Sequence, residues 1–398
     1  MTSQPRSIPG LLWMLAGLTA LAPLAIDAYL PAFPNMAADL GVSVQHIELT
    51  VSLFLAGFAL GQLTGGPFSD HYGRRMAIST GLVLFILGTL GILISPQIET
   101  VWISRFIQAF GGGISVVNSA AIVRDLFRGA DSARAMSRIA AIMMVAPMLA
   151  PVLGSLLLHI GNWRGIFLVL LVYAITLLLT LRLKLPETRQ QQDLPAISPL
   201  RRYLQIIRHR QALGFLASVA FSYAAMFAFI TGAAGVYMEH FGASASIFPL
   251  LFGANVVVLL ICNQINIRIV HRFMPRRLMA IAQWTQCLIG CALLALIGVI
   301  ELQLWQLVPV MMLFIGLQGF VISNGMASTM EFFPQSAATA TALVGASGFA
   351  LGGLSGALLG LLGDGTPMPM VAIMTLSVFT GIFLRIILHR KPLSTPAD

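Results

Sequence analysis

Polar turns cut this chain of 398 residues into a succession of apolar runs, most of them roughly twenty residues long. A run of about 20 apolar residues is what one α-helix needs to cross the hydrocarbon core of a bilayer. Lipid offers no partner for backbone N–H and C=O groups, so each run must satisfy its own as a helix. Periodicity and breaks place the runs at 11–31, 49–66, 76–95, 101–121, 139–158, 165–181, 212–231, 247–267, 278–300, 302–323, 337–363 and 367–388. Charged residues make up only 9% of the chain and hydrophobic ones 58%, against about 25% charged in a soluble domain. The fold class that follows is an all-α integral membrane protein of twelve transmembrane helices, with no room left for a large soluble domain.

The basic residues fix the orientation. With the N-terminus inside, all but Arg105 and Arg164 of the 23 Lys and Arg residues fall in segments of one side, so the positive-inside rule makes both termini cytoplasmic. The segment from Gly325 to Ser336 is the exception, carrying only Glu331. The net charge of +9 is spread among these loops and not gathered on one face among stacking aromatics, which argues against nucleic acid as a partner. Trp13, Trp102, Trp163 and Trp305 stand at span ends, as an aromatic belt requires. Ala20-Leu21-Ala22 could pass for a signal-peptide cleavage site, but the apolar run continues past it, so the first span is read as retained. Cys262, Cys287 and Cys291 form no disulfide framework, and neither a metal nor a cofactor is implied. There is no phosphate-binding Gly-x-x-x-x-Gly-Lys loop for ATP hydrolysis, and every His flanks a span instead of lying deep in one.

A polar, Pro-containing segment after the sixth run divides the chain into a six-helix unit at 1–185, a linker at 186–210 and a second six-helix unit at 211–398. The basic turn Arg272 to Arg277 echoes Asp70 to Arg75, as expected of an internal repeat with a pathway between its copies. Gly348, Gly352, Gly356 and Gly360 recur every four residues and give the eleventh helix one smooth packing face. Pro147, Pro151 and Gly154 mark the fifth as closely packed or kinked.

Asp27 and Arg105 lie within spans, where an ionisable side chain costs at least ~2.5 kcal/mol and so needs a purpose. Asp27 in the first span and Arg105 in the fourth both sit about four residues, or ~6 Å, from the same membrane face, and are expected to meet beside a cavity. Asp27 would there take up and release a proton. Arg105, Gln108, Gly112, Ser115 and Ser119 fall on one helical face, a polar stripe expected to face the bundle interior or water. Tyr223, Met226, Phe227 and Ile230 form an adaptable apolar face on the seventh span; with Tyr29 and Ser115, the first three are expected to line a substrate cavity. In the turn 66–75, Pro67 and Gly73 are expected to break the helix, and Arg74 and Arg75 to stay out of lipid.

The order Gly66, Asp70, Gly73, Arg74, Arg75 resembles the signature loop between the second and third helices of the major facilitator superfamily. Phe68 and His71 depart from its usual form. Asp27-Ala28-Tyr29-Leu30-Pro31 is similar to the first-helix signature of its bicyclomycin and chloramphenicol resistance family of drug/proton antiporters. Arg105-Phe106-Ile107-Gln108 resembles the fourth-helix motif, and Ala150 to Ser155 a fifth-helix antiporter motif in which Ala150 and Ser155 replace glycines. The resemblance implies two bundles that rock about a central cavity, with Asp27, Arg105 and Gln108 in proton coupling or substrate contact. Gly66, Asp70, Gly73, Arg74 and Asp125 would form a conformational latch. The implied activity is proton-driven export of small amphipathic antibiotics by a monomer in the bacterial inner membrane, with protons, the small molecule and the lipid bilayer as its partners. Two other readings stay open: proton-coupled export or import of a metabolite such as an amino acid or nucleoside, and a membrane receptor or scaffold that transports nothing.

Overall fold

The computed structural model describes residues 10–127, 129–188, 199–333 and 337–389. The middle of the expected linker, at 189–198, lies outside them, as do Arg6, Arg128, Arg390 and Lys391. Twelve stretches of the described residues are helical, long enough and apolar enough to cross a membrane. The first comprises α1 (Leu11–Asp27), a 3-10 turn at Leu30–Ala32 and α2 (Phe33–Leu40). There follow α3 (Val44–Tyr72), α4 (Arg74–Ile94), α5 (Ile98–Leu126), α6 (Gly129–Ile160) and α7 (Trp163–Lys184). A short helix in the linker, α8 (Pro199–Arg208), leads to the second half. That half holds α9 (Arg210–Ala234) with a π turn at Gly235–His240, α10 (Phe248–Ile269), α11 (Pro275–Ile297), α12 (Leu304–Gly316), α13 (Gln318–Met330), α14 (Ala337–Leu362) and α15 (Pro367–His389). Many leucines, isoleucines and valines stand exposed on the outside of the bundle, including Leu87, Leu183 and Leu288, as a lipid-facing surface requires.

Three local expectations are corrected. Pro67 does not end its helix: α3 runs through it to Tyr72 and stops at Gly73, whose φ of 96° few side chains tolerate. A proline forfeits one helical hydrogen bond, whereas the positive φ reverses the chain. The stretch from Gly325 to Met330 is no loop but the last turns of α13, and Glu331 behind it accepts from Arg276 Nη2 at 2.7 Å. Trp163 is not in an aromatic belt. It is buried, donates to Asp39 Oδ2 at 2.9 Å and packs edge-on against Phe167.

Glycines set how closely helices approach. In the first half a methyl at Gly57 or Gly61 would strike the carbonyls of Phe106 and Phe110 on α5, and one at Gly154 on α6 would strike the carbonyl of Ala28. In the second half Gly348 and Gly352 of α14 lie against the rings of Tyr223 and Phe227 on α9. The same helix turns Gly353 and Gly360 toward Ser52 and Leu49 of α3, so the glycine stripe joins the two halves. At the end remote from the basic turns the halves also touch where Ser246 Oγ and His159 Nε2 lie 3.2 Å apart, and where Glu48 abuts Gly235.

Candidate functional site

Between the halves lies a cavity of about 410 Å³. α1 contributes Ala22, Pro23, Ile26 and Asp27 to its wall, α3 Phe58 and Gln62, α5 Val116, and α6 Met143 and Pro147. From the other half come Tyr223, Met226, Phe227 and Ile230 of α9, Asn255 and Asn263 of α10, Gln318 and Ser323 of α13, and Phe349 of α14. Phe349 packs on Phe58 at 4.7 Å and on Phe227 at 5.3 Å between ring centroids, an aromatic bridge across the seam. The wall is mostly apolar, and Asp27 is the one carboxylate among its described residues.

Asp27 closes α1, just before the 3-10 turn, and is 4% exposed. Its Oδ1 has no hydrogen-bond partner among the described residues. The expected meeting with Arg105 does not occur: Arg105 is fully buried, lies behind α1 and takes no part in the cavity wall. Its guanidinium donates from Nη2 to the carbonyl of Ala25 at 3.1 Å and from Nη1 to Gln108 Oε1 at 2.6 Å. The rings of Tyr29 and Phe54 cover it, each centroid 4.4 Å away. Gln108 Nε2 donates to Thr89 Oγ1 at 2.8 Å, and that hydroxyl donates to the carbonyl of Phe85 at 2.7 Å. The cation is held by a carbonyl, an amide and aromatic faces. It grips Ala25 on α1 and Tyr29 at the start of the following 3-10 turn, with Asp27 between them in the chain.

The rest of the polar stripe on α5 also faces neighbouring helices. Ser115, expected on the cavity wall, is buried against α4 and donates to the carbonyl of Ile78 at 3.2 Å. Tyr29, expected there too, packs on Arg105 and Phe167 with its hydroxyl 2.7 Å from Thr50 Oγ1. Tyr223, Met226, Phe227 and Pro147 do line the cavity, whereas Pro151 and Gly154 lie on α6 outside its wall.

A second polar cluster stands at the basic end. Arg74, its side chain 9% exposed, donates from Nη1 to Asp70 Oδ1 at 2.7 Å and to Ser69 Oγ at 2.8 Å, and from Nε to Asp125 Oδ2 at 2.9 Å. Gly66 is not part of it and faces open space. Sequence reasoning missed Glu187, whose carboxylate accepts from the backbone N–H of Arg74 at 2.9 Å and of Arg75 at 3.2 Å, capping α4. A Cβ at position 73 would stand 2.5 Å from Glu187 Oε2, so Gly73 is needed both for its φ and for this approach. Tyr203 of α8 lies near, its phenol held above the usual range by burial and then by the Asp70 carboxylate.

The amides Asn255, Asn263 and Gln318 were missed as well. Their signal was present as isolated amides within apolar runs. Asn263 Oδ1 accepts from Ser323 Oγ at 3.0 Å, and Gln318 exchanges hydrogen bonds with the hydroxyl and carbonyl of Ser222.

The description of the Major Facilitator Superfamily matches residues 15–357. A bicyclomycin resistance protein homologue from Haemophilus influenzae is 32% identical over 92% of this chain and 94% of its own. Multidrug resistance protein D of Escherichia coli is 30% identical over 84% of each chain, and a chloramphenicol resistance protein of Pseudomonas aeruginosa 28% identical over 92% of this chain and 87% of its own. Among solved structures a D-xylose-proton symporter superposes with a TM-score of 0.73 at 16% identity, covering 98% of both chains, a likeness of fold.

Proposed function

The chain belongs to the Major Facilitator Superfamily, in its bicyclomycin and chloramphenicol resistance branch, and on that premise we propose that it exports small amphipathic compounds from a bacterial cell in exchange for protons. Asp27 carries the proposal: it is the carboxylate on the wall of the cavity between two halves that move against each other. A carboxyl group there takes up a proton while the cavity faces the proton-rich side and gives it up on the other. Cargo and proton compete for the same acceptor, and that competition is the coupling.

Arg105 acts as a positioning residue. It holds the chain on either side of Asp27, at Ala25 of α1 and at Tyr29 before the 3-10 turn, so a change at the carboxyl group is felt through this segment by Gln108 and Thr89. The Arg74 cluster with Asp70, Asp125 and the Glu187 cap is the latch at the end that the positive-inside rule assigns to the cytoplasm, together with both termini. Bicyclomycin, chloramphenicol and sulfonamide-class antibiotics are the cargoes to try first, and one chain suffices for the cycle.

The test uses inside-out vesicles with an acid interior. Addition of a panel of these antibiotics should release protons from vesicles holding the wild type and none from those holding Asp27→Asn. Equal release by both would make Asp27 structural; silence from the wild type toward every compound would sink the antiport reading.

A further inference from the structure

Two buried acceptors on the cavity wall lack a donor among the described residues: Asp27 Oδ1 from the first half and Asn255 Oδ1 from the second. Asn255 is 1% exposed, and its Nδ2 donates to the carbonyl of Leu251, one turn back, at 2.8 Å. That bond fixes the amide's orientation, because the flipped amide would set two carbonyl oxygens against each other. The other amides of α10 and α13 on the wall already spend their carbonyl oxygens on Ser323 and Ser222. The hydroxyl of Tyr237 is buried outside the cavity wall and lies against the Asn255 side chain, close enough to interact with its amide.

Resting on the antiport reading, we propose that Asn255 is a specificity-determining residue: its Oδ1 and the Asp27 carboxyl group together accept hydrogen bonds from the N–H or O–H groups of one cargo molecule. The cargo's apolar body lies among Phe58, Phe227 and Phe349. Unpartnered acceptors contributed by both halves to one apolar cavity select donors, so the site takes neutral or cationic molecules rich in N–H and O–H and turns away carboxylates and sulfonates. A site built to hydrogen-bond a hydroxyl penalises the analogue that lacks it, because its own acceptor is then left unmade. Contact with both halves at once also explains why the donor end of the cargo, more than its bulk, would govern recognition.

The matched probes are thiamphenicol and florfenicol, which differ in a hydroxyl replaced by fluorine, with binding to the purified full chain in detergent read by calorimetry. The wild type should bind thiamphenicol about tenfold more tightly, the size of one hydrogen bond. In Asn255→Leu the ratio should fall to about one through lost thiamphenicol affinity. Tyr237→Phe should retain the preference. Equal binding by the wild type, no binding of either compound, or an undiminished ratio in monodisperse Asn255→Leu would overturn the inference. So would loss of the ratio in Tyr237→Phe, which would make Asn255 a partner of that hydroxyl. Proton release by thiamphenicol in the vesicles separates the two claims: preference without flux overturns antiport, and flux without preference overturns the role of Asn255 alone.

Discussion

The two halves share a repeat and differ in what they bury. The first half buries ionisable chemistry: Asp27 on the cavity wall, Arg105 behind it, and Arg74 between Asp70 and Asp125. The second half lines the same cavity with Asn255, Asn263 and Gln318, and its counterpart of Arg74, Arg276, is half exposed. Backbones follow the same division. Helices of the first half approach until glycines meet carbonyls, as Gly61 does Phe110, whereas glycines of the second half mostly meet side chains, as Gly348 does Tyr223. A charge in a low-dielectric interior must have its partners fixed, since an unmade interaction there is expensive. Hydroxyls, amides and rings on a more yielding scaffold can re-pack around cargoes of different shape. The division assigns coupling to the first half and recognition to the second.

The largest expected effect tests that division directly. Arg105→Ala removes two charge-assisted hydrogen bonds of about 1.5–3 kcal/mol each and the cation between two rings. Substrate-driven proton flux should fall at least about 100-fold, the consequence of some 3 kcal/mol lost at the coupling site. Lysine should not rescue it, because an ammonium cannot bond two acceptors in a plane while stacking on rings. Gln318→Ala, in the second half, should instead change which compounds elicit flux and leave the maximal flux for a good cargo within about threefold. If the two variants behave alike, the division of labour is wrong.

Next in size is the latch. Arg74→Ala loses bonds to Ser69, Asp70 and Asp125, of which Asp70 is 52% exposed and therefore already screened. The expected cost is about 2 kcal/mol, read as a lower thermal unfolding midpoint in detergent. Glu187→Gln should cost about 1 kcal/mol by weakening the cap on α4, and should add little to Arg74→Ala if the two act as one unit.

The twelve spans were legible because each is long, apolar and bounded by charge, and the aromatic face of α9 because helical spacing alone aligns it. The Asp27 and Arg105 pairing was misjudged because sequence gives the depth of a residue in a span but not its azimuth. Ala25 faces Arg105; Asp27, two residues further along α1, lies about 200° around the helix at 3.6 residues per turn. Ser115 failed in the same way: its stripe was correctly interior, but periodicity does not say which neighbour a face meets, and here it is α4. Glu187 caps a helix more than a hundred residues earlier, a relation for which no local pattern exists.

The contrast in backbone packing makes a graded pair. Gly61→Ala should destabilise by about 1–3 kcal/mol, because the methyl meets the carbonyl of Phe110 and backbone atoms of Gly113 and Ile114 on a helix that cannot shift alone. Gly348→Ala meets Tyr223 at Cδ2, Cγ and Cβ, 2.7, 2.9 and 3.2 Å away, but no backbone of another helix, and should cost less than Gly61→Ala, about 1 kcal/mol. Its readout is affinity: the displaced ring should change which cargo binds best. Equal destabilisation by both would remove the mechanical basis for calling one half rigid.

The smallest effect is expected at Arg276. Its bond to Glu331 Oε2 is 2.7 Å long, as short as that of Arg74 to Asp70, yet both side chains are about half exposed, 48% and 50%. Length alone would rank the two arginines as equals, and exposure separates them: a solvated pair gains little over its hydrated ions and is screened further by salt. Arg276 also lies over Phe215 and Phe332 at 5.2 and 5.6 Å, which adds a modest attraction. Arg276→Ala should therefore lower stability by about 0.5–1 kcal/mol, a loss that shrinks as salt is raised, whereas the loss in Arg74→Ala should persist. A salt-independent loss at Arg276 as large as that at Arg74 would mean that the second basic turn is a full latch and that the halves are closer to symmetric than their exposure suggests.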